Sequence, residues 1–159
     1  MKVRDVMTPN ATAIWITGSL ADAAKEMWEH DCGALPVIKD GLKVVGMITD
    51  RDICMAVAMR DGNPSSISVE EVMNPSVFFA DPDEEIEEAM ATMRKHRIRR
   101  LPVMNLNDEL QGILSMNDIV LKAQPRSGKK MGLEYADVVK TYQAICAHPM
   151  TTTQAAAAS

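Results

Sequence analysis

Two pairs of residues in this chain have the chemistry to hold a sugar. Thr49 and Asp52 stand three positions apart where the apolar run Val44-Val45-Gly46-Met47-Ile48 gives way to Asp50-Arg51-Asp52-Ile53. Ser115 and Asp118 repeat the arrangement behind Leu110-Gln111-Gly112-Ile113-Leu114. Glycine falls on glycine (46 and 112), hydroxyl on hydroxyl (49 and 115) and carboxylate on carboxylate (52 and 118). A carboxylate at such a strand-to-helix junction can accept both cis hydroxyls of a ribose. The neighbouring hydroxyl can hydrogen-bond the ribose or a first phosphate, and bonds to an ionised oxygen are the stronger kind. A helix start also suits an anion, and the glycine would let a ligand approach the backbone closely. The same spacing is that of a helix capping box, in which the two side chains satisfy orphan backbone amides. One copy alone favours the cap; two copies, each with its glycine, favour binding.

The elements that must position these residues also come twice. Residues 2–7 read as a short helical turn ending at Thr8-Pro9, and Ala11–Ile14 as an extended piece. Ser19 and Asp22 have capping-box spacing, with Leu20, Ala23, Ala24 and Met27 at helical intervals up to His30 and Gly33 as the stop. Leu35-Pro36-Val37-Ile38 reads as a strand with proline at an end or edge. Asp40-Gly41 predicts a two-residue hairpin into Lys43–Ile48, and a helix follows over 50–60. Val69, Val72, Met73 and Pro75 then match Val3, Val6, Met7 and Pro9. Asp81-Pro82-Asp83-Glu84 predicts a capped helix start, and Ala89, Met93, His96 and Leu101-Pro102-Val103 complete the second copy. The expected layout is residues 1–60, a linker over 61–67, and 68–123. A loop and helix follow over 124–150, with Val138, Val139, Tyr142, Ile145 and Cys146 on the apolar side, then a disordered low-complexity tail over 151–159. Each copy alone buries too little surface, so the fold class is α/β (α+β): two units about a pseudo-twofold axis, sheets packed together with helices outside.

Composition narrows the function classes. A net charge of −5 argues against a surface that coats nucleic acid. No apolar run is long enough to span a membrane, and the charged start, Met1-Lys2-Val3-Arg4-Asp5, lacks a signal peptide's apolar segment, so the chain reads as cytoplasmic. Three cysteines without Cys-x-x-Cys spacing read as reduced thiols. His30, His96 and Cys32 lack the paired spacing of a zinc site, so no metal is expected. No nucleophile–base arrangement and no glycine-rich phosphate loop is present, which speaks against an enzyme.

Val-Met-x-Pro, a helix with Ala-x-x-x-Met, Leu-Pro-Val and Gly-x-x-Thr/Ser-x-x-Asp, in that order and twice over residues 1–123, resemble the CBS domain, and the tandem resembles a Bateman module. The resemblance implies a non-enzymatic regulatory module that binds an adenosine-containing ligand (AMP, ADP or ATP, sometimes NAD or S-adenosylmethionine). It further implies a homodimer, a flat disc of four CBS units, and a separate regulated protein. No cofactor is expected beyond the nucleotide as regulatory ligand. The alternative is a ligand-independent dimeric scaffold.

The basic run Lys95-His96-Arg97-Ile98-Arg99-Arg100 has no cationic counterpart in Glu29-His30-Asp31-Cys32-Gly33-Ala34. In the resembled family, cations at this place reach phosphates of a ligand whose ribose the other copy holds. That assigns Arg99 and Arg100 to the Asp52 site together with Thr49, and leaves Gly33 and Ala34 facing the Asp118 and Ser115 site with nothing to offer a phosphate. The expected module is therefore asymmetric, strong at Asp52 and weak or empty at Asp118. Adenine is expected against Val77 and Phe78 at the first site and Thr12 and Ala13 at the second.

Overall fold

The computed structural model describes residues 1–125 and 133–147. A 3-10 turn, Val3–Asp5, leads to strands β1 (Thr8–Pro9) and β2 (Ile14–Trp15), helix α1 (Leu20–Glu29) and strands β3 (Ala34–Lys39) and β4 (Lys43–Thr49). Helix α2 (Asp50–Arg60) closes the first unit. A second 3-10 turn, Pro64–Ser66, leads to α3 (Ile86–His96), β5 (Arg100–Met104), β6 (Leu110–Ser115) and α4 (Met116–Lys122). Helix α5 (Tyr135–Cys146) lies outside the repeat. One sheet has the order β2-β3-β4 and the other β1-β6-β5. The repeat extends to irregularities, since the register shifts at Val37/Ile38 in one hairpin and at Val103/Met104 in the other. The α+β class and the two packed sheets are as the sequence predicts.

Three helices start where the sequence places them, because each first turn closes a capping box: Ser19 with Asp22, Thr49 with Asp52 and Ser115 with Asp118. The start of α3 differs. Asp81 caps a tight turn instead, accepting the Asp83 amide at 2.7 Å, and the helix begins at Ile86 behind Glu85. Glu85 gives α3 no side-chain cap because its carboxylate is taken by Lys2 and the Met1 amine. Gly33 does not stop α1 either: His30 caps it and Asp31 takes the left-handed conformation, φ 48°. The first hairpin turns through three residues, not two, with positive φ at both Asp40 and Gly41 before Leu42. Pro36 sits in the middle strand of its sheet, tolerated because β2 pairs only with Val37 and Ile38.

The two units exchange their leading segments. β1 pairs with β6 of the second unit, Thr8 opposite Ile113. Asn74 pairs with Met47 of the first unit, through hydrogen bonds of 3.0 and 2.8 Å. Packing follows the pairing. Val3 and Val6 lie in the core built on Ile86, Met93, Leu101 and Leu114, whereas Ile67 and Val69 lie in the core built on Leu20, Met27, Leu35 and Ile48. Between the sheets, Ile38 and Val44 meet Met104 and Leu110, with Ala13 and Val77 alongside. The pseudo-twofold axis passes between Lys43 and Glu109, flanked by Val44 N–H donating to Asp108 O (3.1 Å) and Leu110 N–H donating to Leu42 O (2.9 Å).

Helix α5 packs on the second unit, burying Val138, Thr141 and Ile145 while Val139 and Cys146 face solvent. Thr141 thus replaces two residues of the expected apolar side. It can do so because its hydroxyl donates to Asp137 O at 2.8 Å and is itself capped by Arg94. The expected tail over 151–159 lies outside the described residues.

Candidate functional site

Each carboxylate serves its own helix with one oxygen. Asp52 Oδ2 accepts from Thr49 N–H at 2.9 Å and from Thr49 Oγ1 at 2.6 Å. Asp118 Oδ2 accepts from Ser115 N–H at 2.7 Å and from Ser115 Oγ at 2.5 Å. The capping role is therefore real at both places, and it leaves the second oxygen of each group. Among the described residues Asp118 Oδ1 accepts one further bond, of 3.1 Å, from the Thr8 hydroxyl, brought over on the exchanged β1.

Beside Asp118 lies a hollow of about 470 Å³, within the usual size range of small-molecule sites. Its walls come from five parts of the fold. Ser115, Met116, Asn117 and Asp118 line it from the β6–α4 junction. Thr8, Asn10, Ala11 and Thr12 line it from the exchanged segment, and His30 through Ala34 from the end of α1 and start of β3. Arg99 and Arg100 at the head of β5 complete it, with Tyr142 of α5. Neither guanidinium makes an ion pair or hydrogen bond among the described residues. Two guanidiniums without partners beside a hollow are a ready seat for an anion, because their forked donors match phosphate oxygens. Burial pushes the Cys32 thiol up, so this wall keeps a neutral sulfur and not a thiolate.

This geometry does not follow the expected assignment of the cations. Arg99 and Arg100 line the hollow of Asp118 and Ser115, together with Gly33 and Ala34, so that hollow does not lack cations. The heads of β3 and β5 lie close together: a Cβ on Gly33 would stand 3.4 Å from Arg100 Nη2 and 2.8 Å from Asp50 Oδ2. Gly33 is thus a place of close approach, which spacing alone does not reveal. On the Asp52 side, Phe78 stacks on His96, with ring centroids 3.6 Å apart and planes at 19°. The counterparts of that pair, Thr12 and His30, both line the open hollow. Ala13 and Val77, expected against adenine, instead pack on the apolar cluster between the units.

Gly46 and Gly112 also have a different task from the one expected. A Cβ on Gly112 would lie 2.5 Å from Thr8 O, and one on Gly46 2.5 Å from Met73 Sδ and 3.1 Å from Asn74 O. They admit the exchanged segments, not a ligand. Thr8 and Asn10 could have been found by asking what those glycines make room for. Tyr142 could not, because no repeat contains it. Among the described residues no group of three or more His, Cys, Asp or Glu is placed to hold a metal ion, and no helix is long and apolar enough to cross a membrane.

Comparison with known proteins agrees with the internal duplication. The family model for the CBS domain matches residues 3–59 and again 69–124. Hypoxic response protein 1 of Mycobacterium tuberculosis is 34% identical over 116 residues, 73% of this chain and 80% of that protein. The CBS domain-containing protein YhcV of Bacillus subtilis is 34% identical over 119 residues, 75% and 83% of the two chains. Among solved structures, hypoxic response protein I with two coordinated zinc ions superposes with a TM-score of 0.71 at 32% identity, covering 79% of this chain and 100% of that one. The CBS domain pair of protein MJ0100, in complex with 5-methylthioadenosine and S-adenosyl-L-methionine, superposes with a TM-score of 0.69 at 28% identity, covering 76% and 98%.

Proposed function

Because the chain belongs to the CBS-domain family and carries two such domains in tandem, we propose that it is a non-enzymatic cytoplasmic regulatory module. Its ligand is an adenosine-containing molecule bearing phosphate (AMP, ADP or ATP), held in the Asp118 hollow. The observation that carries this reading is one hollow that joins Asp118 and Ser115 with two arginines whose guanidiniums are unpaired among the described residues. In it Asp118 Oδ1 releases the Thr8 hydroxyl to accept ribose hydroxyls, Ser115 stays as the cap that fixes the carboxylate, and Arg99 and Arg100 take the phosphate. The MJ0100 pair, which holds two adenosine compounds, supports the ligand class. The guanidiniums select within that class, since they attract a phosphate and repel a sulfonium.

Thermal unfolding in the presence of AMP, ADP, ATP, methylthioadenosine and S-adenosylmethionine tests this. A ligand that binds the native state alone stabilises it by about 2.7 kcal/mol at a hundredfold excess over Kd. The phosphorylated ligands should raise the Tm, and Arg99→Ala with Arg100→Ala should abolish the rise. A flat response to the whole panel would leave the scaffold reading in place.

Apolar side chains on the outer helices support assembly as well: Trp28 of α1 is 87% exposed, Met59 of α2 78% and Leu121 of α4 83%. A homodimer of four CBS units, or a regulated protein, would cover side chains such as these.

A further inference from the structure

The Asp118 hollow is walled in part by a residue that neither unit supplies. Tyr142 belongs to α5, which follows the second unit and has no counterpart after the first. The helix is docked by its own contacts. Leu133, Val138 and Ile145 join the core of the second unit, and Arg94 Nη1 donates to the buried Thr141 hydroxyl at 2.8 Å. Tyr142 packs half-buried against the same core. Its hydroxyl makes no hydrogen bond among the described residues. The wall therefore carries an apolar ring and an unused hydroxyl in a hollow that already holds two guanidiniums and a carboxylate. These are the groups a nucleotide needs beyond its phosphate and sugar, a flat face for the base and a donor for a ring nitrogen.

We propose that Tyr142 contacts the ligand held in the Asp118 hollow, and that α5 is the element whose docking tightens when the hollow is filled. This rests on the nucleotide reading above and adds to it the part of the molecule that reports occupancy. Coupling of this kind is reciprocal. Loosening α5 at a point away from the hollow must therefore weaken binding. Arg94 is such a point, since it holds Thr141 and does not line the hollow.

The test uses the full chain, with calorimetric titration of AMP and ATP and hydrogen exchange of the α5 amides with and without AMP. Tyr142→Ala should weaken binding by about fivefold or more, and Arg94→Ala by a smaller factor, while AMP slows exchange across α5 in the wild type. Asp118→Ala serves as the reference for loss of the site itself. Binding that is lost in Asp118→Ala but unchanged in Tyr142→Ala and Arg94→Ala, with α5 exchange indifferent to AMP, overturns this proposal and leaves the nucleotide reading standing. A wild type that binds neither AMP nor ATP overturns both. Should Tyr142→Ala fail to fold, Arg94→Ala and the wild-type exchange experiment decide between the same outcomes.

Discussion

At the scale of single residues, equivalent positions in the two units do unequal work. The atom that a Cβ on Gly112 would strike is the Thr8 carbonyl oxygen, part of the β1 backbone, whereas on Gly46 it is the Met73 sulfur, which can swing aside. Gly112→Ala should cost about 1–3 kcal/mol, the range for overpacking, and Gly46→Ala less. Denaturant unfolding of both variants checks the order, and equal losses would mean that β1 yields as readily as a methionine side chain. Glu85 provides a pH signature. A hydrogen bond from Lys2, with a second from the Met1 amine, lowers its carboxyl to about 2 from an ordinary 4.5. A depressed acid contributes its stability in full above the unfolded value and loses it as the pH falls through the folded one. Wild type and Glu85→Gln should therefore differ in Tm at neutral pH and converge between about pH 4.5 and 2. The groups are exposed, so added salt should shrink the difference.

At the scale of elements, the most legible feature is the capping box. Ser19, Thr49 and Ser115 mark three helix starts because the same short-range hydrogen bonds that define the pattern in sequence also form the first turn. Asp81-Pro82 is locally as good a signal and fails, because the helix start is set by which apolar residue can reach the core, Ile86, and by where the Glu85 carboxylate is engaged. Helix α5 shows another limit. Thr141 reads as polar, yet it is fully buried, since its hydroxyl is satisfied within its own turn and by Arg94. Thr141→Val keeps the volume and strands Arg94, so it should loosen α5 with little effect elsewhere. Ile145→Ala should cost about 2–5 kcal/mol, as for other buried aliphatic truncations. Hydrogen exchange resolved to α5 separates the two variants from a global loss of stability.

At the scale of the whole molecule, the duplication, the fold class and the pair of carboxylates were readable from the chain. What belongs to which cleft was not. Arg100, at the head of β5, lies beside Gly33 at the head of β3, and no spacing rule says into which cleft a long side chain there falls. The exchange of leading segments was equally hidden, because a strand of two residues such as Thr8–Pro9 carries no sign of its partner. It sets a clear expectation: residues 1–66 or 67–159 expressed alone should not fold, since each lacks apolar side chains of its own core, and mixing the two should restore native circular dichroism. The interlock also orders events at the ribosome. Val3 and Val6 precede nearly all of the core they enter, which runs to Ile145, while the first unit must wait for Ile67, Val69 and Asn74. During synthesis Val3 and Val6 thus stay unhoused until the second unit and α5 have been made, which leaves both side chains open to chaperones and proteases in the meantime.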